Sequence, residues 1–187
     1  MFEEVDYWRA GCNWIEWQID YEAQPNDPLP VLQDFDRFSR FCLWYYVPNR
    51  RSPDWNHRQC LFDYIDGNLP MNGDAGLPDQ LAQSWVDENI FEQHQISLAS
   101  KLLAFRTPSI YVPMDRRAKQ GLANLDHGQV NMHNYNAYLG RVNALIADHE
   151  DHYNDLINGR VIPTGNAIGF MRRVVDCALM RRGGRWA

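Results

Sequence analysis

The sequence predicts an all-α fold, a single compact domain of six to eight helices. Three observations point there. Apolar residues recur at three- and four-residue steps along most of the chain, few stretches alternate with period two, and Pro, Gly and capping residues break the pattern at helix-length intervals. The 187 residues are expected to form one domain, residues 1–187.

The elements follow in order. Phe2, Val5, Trp8, Cys12, Ile15 and Ile19 keep helical spacing, with a break expected near Gly11–Asn13. Gln24–Pro30 is a stiff connector. Leu32, Phe35, Phe38, Phe41, Cys42 and Tyr45 mark an amphipathic helix over 31–47 that ends before Pro48. Ser52-Pro53-Asp54 opens a helix reaching Ile65, and the Gly-, Pro-, Asn- and Asp-rich stretch 67–78 is a loop. A helix is predicted over 78–91, then a short one over 97–105 capped by Ser97. Residues 109–114 are extended, and Asp115 is the N-cap of a helix over Arg116–Leu122. Helices over 134–158 and 163–180 complete the chain, and Gly183-Gly184 reads as a tail.

An apolar fraction of 45% with 13% aromatics excludes a disordered chain. No apolar run approaches the roughly 20 residues of a membrane span, and MFEEVDYWRAG lacks a signal-peptide layout, so a cytoplasmic protein is expected. Cys12, Cys42, Cys60 and Cys177 form no CxxC pair and read as buried thiols. No metal and no cofactor are expected: His149 and His152 lie in an acidic run that reads as an exposed helix face, and no phosphate loop or GxSxG elbow is present.

Net charge is −6, which argues against a protein that coats nucleic acid, yet the basic residues fall in knots. Of 18 basic residues only Lys101 and Lys119 are lysines, and Lys101 stands inside an apolar segment. Lysine alone can be deprotonated to an amine nucleophile. Asp115, as an N-cap, is held ionised and rigid by backbone N–H groups. The same residues also have a plain structural reading, in which Asp115 caps, Lys101 snorkels to solvent and the arginines decorate a surface.

The order SKLLAF, then a proline-led crossing, then VPMD with RRAKQGL, resembles a stretch of the helix-hairpin-helix superfamily of DNA glycosylases and of small glycosylase-like bacterial proteins. Arg172-Arg-Val-Val-Asp-Cys-Ala-Leu179 is similar to the closing helix of such proteins. The resemblance implies a catalytic aspartate, Asp115, stabilising the oxocarbenium-like state, and Lys101 as a Schiff-base nucleophile. It implies a flipped base sandwiched by aromatic side chains such as Trp44, Tyr45 and Tyr46. No LPGVG-like hairpin separates the lysine from the aspartate, so Arg116, Arg117, Lys119, Arg172 and Arg173 are expected to grip the DNA phosphates in its place.

The expected partner is duplex DNA with a modified base, served by a monomer, in repair or in defence against phage DNA. Two other readings stay open. One is a non-enzymatic interaction module, an antitoxin or regulatory subunit, using the aromatic N-terminal surface. The other is an RNA- or nucleoside-directed glycosidase with the same carboxylate.

Overall fold

The computed structural model describes residues 35, 36, 38, 59, 61–63, 65, 74–107, 109–125, 134–151 and 167–184. Among these the structure is helix joined by turns and loops, with no strand, as the hydrophobic spacing predicts. Five helices have described bounds: α1 Leu77–Asp87, α2 Ile96–Arg106, α3 Arg116–Ala123, α4 Tyr135–Asp148 and α5 Ala167–Arg182. Phe35, Asp36, Phe38, Gln59, Leu61–Asp63 and Ile65 are also helical. No helix among the described residues is long and apolar enough to cross a membrane. The sequence-predicted helix over residues 1–23 and its neighbouring connector lie outside the described residues.

The buried side chains form one cluster running from Phe38 and Leu61 to Met180. Helix α1 carries Leu77, Leu81, Ala82 and Trp85 into it, and Pro78 occupies the first turn, where its missing N–H costs nothing. The helix stops at Asp87, short of the sequence-predicted end at 91. Asn89 takes a left-handed backbone (φ 56°), and the N–H groups of Ile90 and Phe91 return to the Trp85 carbonyl, which closes the last turn.

Helix α2 is apolar on nearly every side, with Ile96, Leu98, Ala99, Leu102, Leu103 and Ala104 all buried. A helix apolar all round belongs at the centre of a bundle. Its N-cap is Gln95 without a side-chain bond, so the cap predicted at Ser97 is corrected: Ser97 lies inside the first turn. A burial-driven start can precede a good capping residue, because packing outweighs the ~1 kcal/mol of a cap.

Among the described helices α3 and α5 share the most extensive contact, and α4 also rests on α5. A Cβ on Gly121 would lie 2.1 Å from the Leu179 carbonyl oxygen, and one on Gly183 would lie 1.9 Å from that of Arg117. Gly183 therefore belongs to the packed end of α5, not to a tail. Asn124 Nδ2 donates to the Arg182 carbonyl at 2.9 Å across the same contact. Because the obstacle at Gly121 is backbone, Gly121→Ala must separate two helices, and overpacking of this kind costs about 3 kcal/mol. Chemical denaturation of Gly121→Ala beside the wild type checks this, and unchanged stability would contradict the close crossing.

Candidate active site

The segment Tyr111–Asp115 is an extended crossing without a strand partner, so its backbone polar groups need other satisfaction. Side chains of α2 and α4 supply it. The Tyr135 hydroxyl accepts from the Val112 N–H at 2.8 Å and donates to the Val112 carbonyl at 2.9 Å. The Tyr138 hydroxyl donates to the Pro113 carbonyl at 3.0 Å. Ser100 Oγ accepts from the Met114 N–H at 2.8 Å and donates to the Ser97 carbonyl at 3.0 Å. Tyr111, Tyr135 and Tyr138 are buried, and neighbouring rings in this series lie 6.3 and 6.1 Å apart.

Burial pushes the Tyr138 hydroxyl well above its ordinary value, with the charges of Asp176 and Asp115 adding to the effect. Burial also raises Tyr135, against the pull of its bond with Val112. Both phenols stay protonated and keep their donor role. Tyr135→Phe would strand the Val112 N–H and C=O, and is expected to cost about 2 kcal/mol in denaturant unfolding. A cost near zero would show that the crossing is held by something else.

This clamp delivers Asp115 to the head of α3. The residue is extended (φ −125°, ψ 173°), and its side chain accepts from the Ala118 N–H at 2.8 Å, the N-cap that its position predicts. Arg116 and Arg117 follow and are exposed, so they flank the carboxylate at the surface. Lys101, half-buried on α2, and Asp115 both lie close enough to the Asp176 carboxylate of α5 for their charges to act on it.

Asp176 is the residue sequence reasoning passed over. It is fully buried at 0% exposure, and one carboxylate oxygen accepts from Arg173 Nη1. Among the described residues its Oδ1 has no hydrogen-bond partner. Burial raises its carboxyl to about 6 from an ordinary 3.8; Arg173 opposes the rise, the Asp115 charge adds to it, and Lys101 opposes it. One signal was available in the sequence: an aspartate inside the run Val174-Val175-Asp176-Cys177-Ala178-Leu179 has no polar face to occupy.

The remaining predicted residues divide. Trp44, Tyr45 and Tyr46 lie outside the described residues. Arg172 and Arg173 are half-buried and turned inward, Arg173 onto Asp176 and Arg172 beside Tyr135. Burial lowers Arg172. They do not form an exposed basic knot. Lys119 is only 6% exposed, and burial lowers its ammonium while Asp115 opposes the shift. A lysine whose charge burial disfavours thus stands on α3, one turn past Asp115.

Among the described residues no group of three His, Cys, Asp or Glu side chains could hold a metal, and Cys177 is a buried free thiol. An open cleft of about 600 Å³ lies beside α1, with Asp79, Gln80, Gln83 and His94 in its lining, none of them a predicted site residue. No family model, curated protein or solved structure matches the chain.

Proposed function

We propose that the chain is an N-glycosylase that removes a modified base from DNA, with Asp115 as its carboxylate. The observation that supports this reading is the rigid Asp115 carboxylate at the head of α3, capped by the Ala118 N–H and flanked by exposed Arg116 and Arg117. The charges of Asp115 and of Lys101, from α2, both act on the buried Asp176 carboxyl. An aspartate fixed by a backbone N–H and flanked by exposed Arg116 and Arg117 suits a site where a sugar phosphate lies beside a developing cation.

The chemistry uses few parts. As the base leaves, the C1′–N bond electrons depart with it and positive charge spreads over C1′ and the ring oxygen. The Asp115 carboxylate stabilises that charge and orients a water, which adds to C1′ and gives up a proton. The product is an abasic site. Where the Lys101 amine adds to C1′ in place of water, the sugar opens to a Schiff base and the strand becomes open to cleavage. Arg116 and Arg117 take the flanking phosphates. A target base must leave the stack to reach the site.

The test is a panel of duplexes carrying damaged or hypermodified bases, with single-stranded RNA and free nucleosides as parallel substrates, read by abasic-site or free-base release. Release from duplex DNA supports the reading, and release only from RNA or nucleosides moves the substrate class. No release from any of them favours the interaction module. Borohydride trapping locates the amine: an adduct lost in Lys101→Ala supports its assignment, whereas one lost only in Lys119→Ala transfers the role to α3.

A further inference from the structure

Ser100 stands at 0% exposure on α2, in a helix that buries apolar side chains on nearly every side. Alanine would fill that position with a better helix former and no polar atom to satisfy. The hydroxyl is explained by its two bonds. It donates to the Ser97 carbonyl at 3.0 Å, one turn back on its own helix. That leaves its lone pairs to accept from the Met114 N–H at 2.8 Å.

This bond joins the two stretches of chain that carry the candidate groups. Ser100 precedes Lys101, and Met114 precedes Asp115. A serine hydroxyl bonded to a backbone N–H holds the two Cα atoms no more than about 7 Å apart, so those of Lys101 and Asp115, one residue further on, lie within about 15 Å. A lysine amine reaches about 6 Å from its Cα, and the remaining span suits a sugar between amine and carboxylate. Tyr135 and Tyr138 hold Val112 and Pro113 from α4. Ser100 holds the residue next to the carboxylate, and does so from the helix that carries Lys101.

We infer that Ser100 is a positioning residue of the site, whose hydroxyl ties the α2 backbone at Lys101 to the end of the crossing at Asp115 and so sets the spacing of amine and carboxylate. The role rests on the glycosylase reading for the reaction it serves, while the tie is a property of the fold. Asp115 inherits the constraint, because its bond to the Ala118 N–H depends on how the crossing enters α3.

Two measurements on the full chain test this role. Backbone amide exchange, read by NMR without substrate, compares the wild type with Ser100→Ala. The Met114 and Ala118 amides are each expected to exchange about tenfold faster in the variant, with Val175 of α5 unchanged. Faster exchange at Met114 alone means that the hydroxyl holds the crossing and not the carboxylate, which overturns the role. Equal acceleration at Val175 makes the effect a general loss of stability and also overturns it, as does no change at all. The second measurement is base release from duplex DNA, where Ser100→Ala is expected to lower kcat about tenfold and to leave KM within about twofold. An unchanged kcat overturns the positioning role, whatever happens to KM. A wild type that releases no base while the exchange rates shift as expected rejects the glycosylase reading alone, and leaves Ser100 as the group that fixes Asp115 against α2.

Discussion

Asp176→Ala is expected to destabilise the fold by about 3 kcal/mol near pH 4, because it takes the acceptor from the half-buried Arg173 guanidinium and leaves a void where a fully buried side chain stood. Asp176→Asn keeps the volume and an acceptor for Arg173, so its cost should be smaller, about 1 kcal/mol near pH 4, and absent at neutral pH, where the wild type carries the buried charge. The two variants separate through pH. Asp176 ionises near 6 in the folded chain against an ordinary 3.8, so between those values the native state holds a proton that the unfolded state has lost. Unfolding then releases a proton, and stability falls as pH rises through the interval, by about 1.4 kcal/mol per unit and about 3 kcal/mol in all. Above about 6 the contribution is flat. Urea unfolding at about pH 4 and about pH 7 should show this fall in the wild type and not in Asp176→Asn. Equal pH dependence in the two proteins would mean that Asp176 is not the buried acid described here.

Asp115→Asn is expected to lower base release by on the order of 10²- to 10³-fold, the usual loss when a preorganised charge-stabilising group is removed. Its strength as a test comes from the cap. Asparagine is as good an N-cap as aspartate, and its side-chain oxygen can accept the same Ala118 N–H. The helix-dipole contribution of the lost charge is a few tenths of a kcal/mol at a partly exposed position. The variant thus removes the negative charge and keeps the geometry. A small loss of activity would mean that Asp115 caps α3 and does no chemistry.

Local features of this architecture were legible from the sequence, and features set by partners were not. Asp115 could be recognised as an N-cap because capping is a contact three residues long, and Asn134 caps α4 onto the Ala137 N–H by the same logic. That helices stand at α1 and α4 followed from the sequence, although α4 ends at Asp148 and not at 158. The end of α1 did not, because it depends on the left-handed turn at Asn89. The start of α2 at Gln95 rather than Ser97 reflects burial on all sides, which spacing does not reveal.

Within the site, Lys101 and Asp115 could be picked out by residue type. Asp176 left only one trace, an aspartate inside an apolar run, because its burial is set by the packing of α5 against other elements. Arg172 and Arg173 read as a surface knot for the same reason: a pair of adjacent arginines says nothing about the buried carboxylate one turn along. The tyrosine clamp was hidden too, because Tyr135 and Tyr138 hydrogen-bond to backbone more than twenty residues away. Glycines 121 and 183 showed no sign of the helix crossing they permit.

The most direct measurement is single-turnover base release from duplex DNA by wild type and Asp115→Asn side by side, with matched thermal melts. The account predicts abasic sites from the wild type, a loss of at least 10²-fold in Asp115→Asn, and melts that differ by only a few degrees. Equal release by both proteins, or none from a folded wild type across the substrate panel, would contradict it.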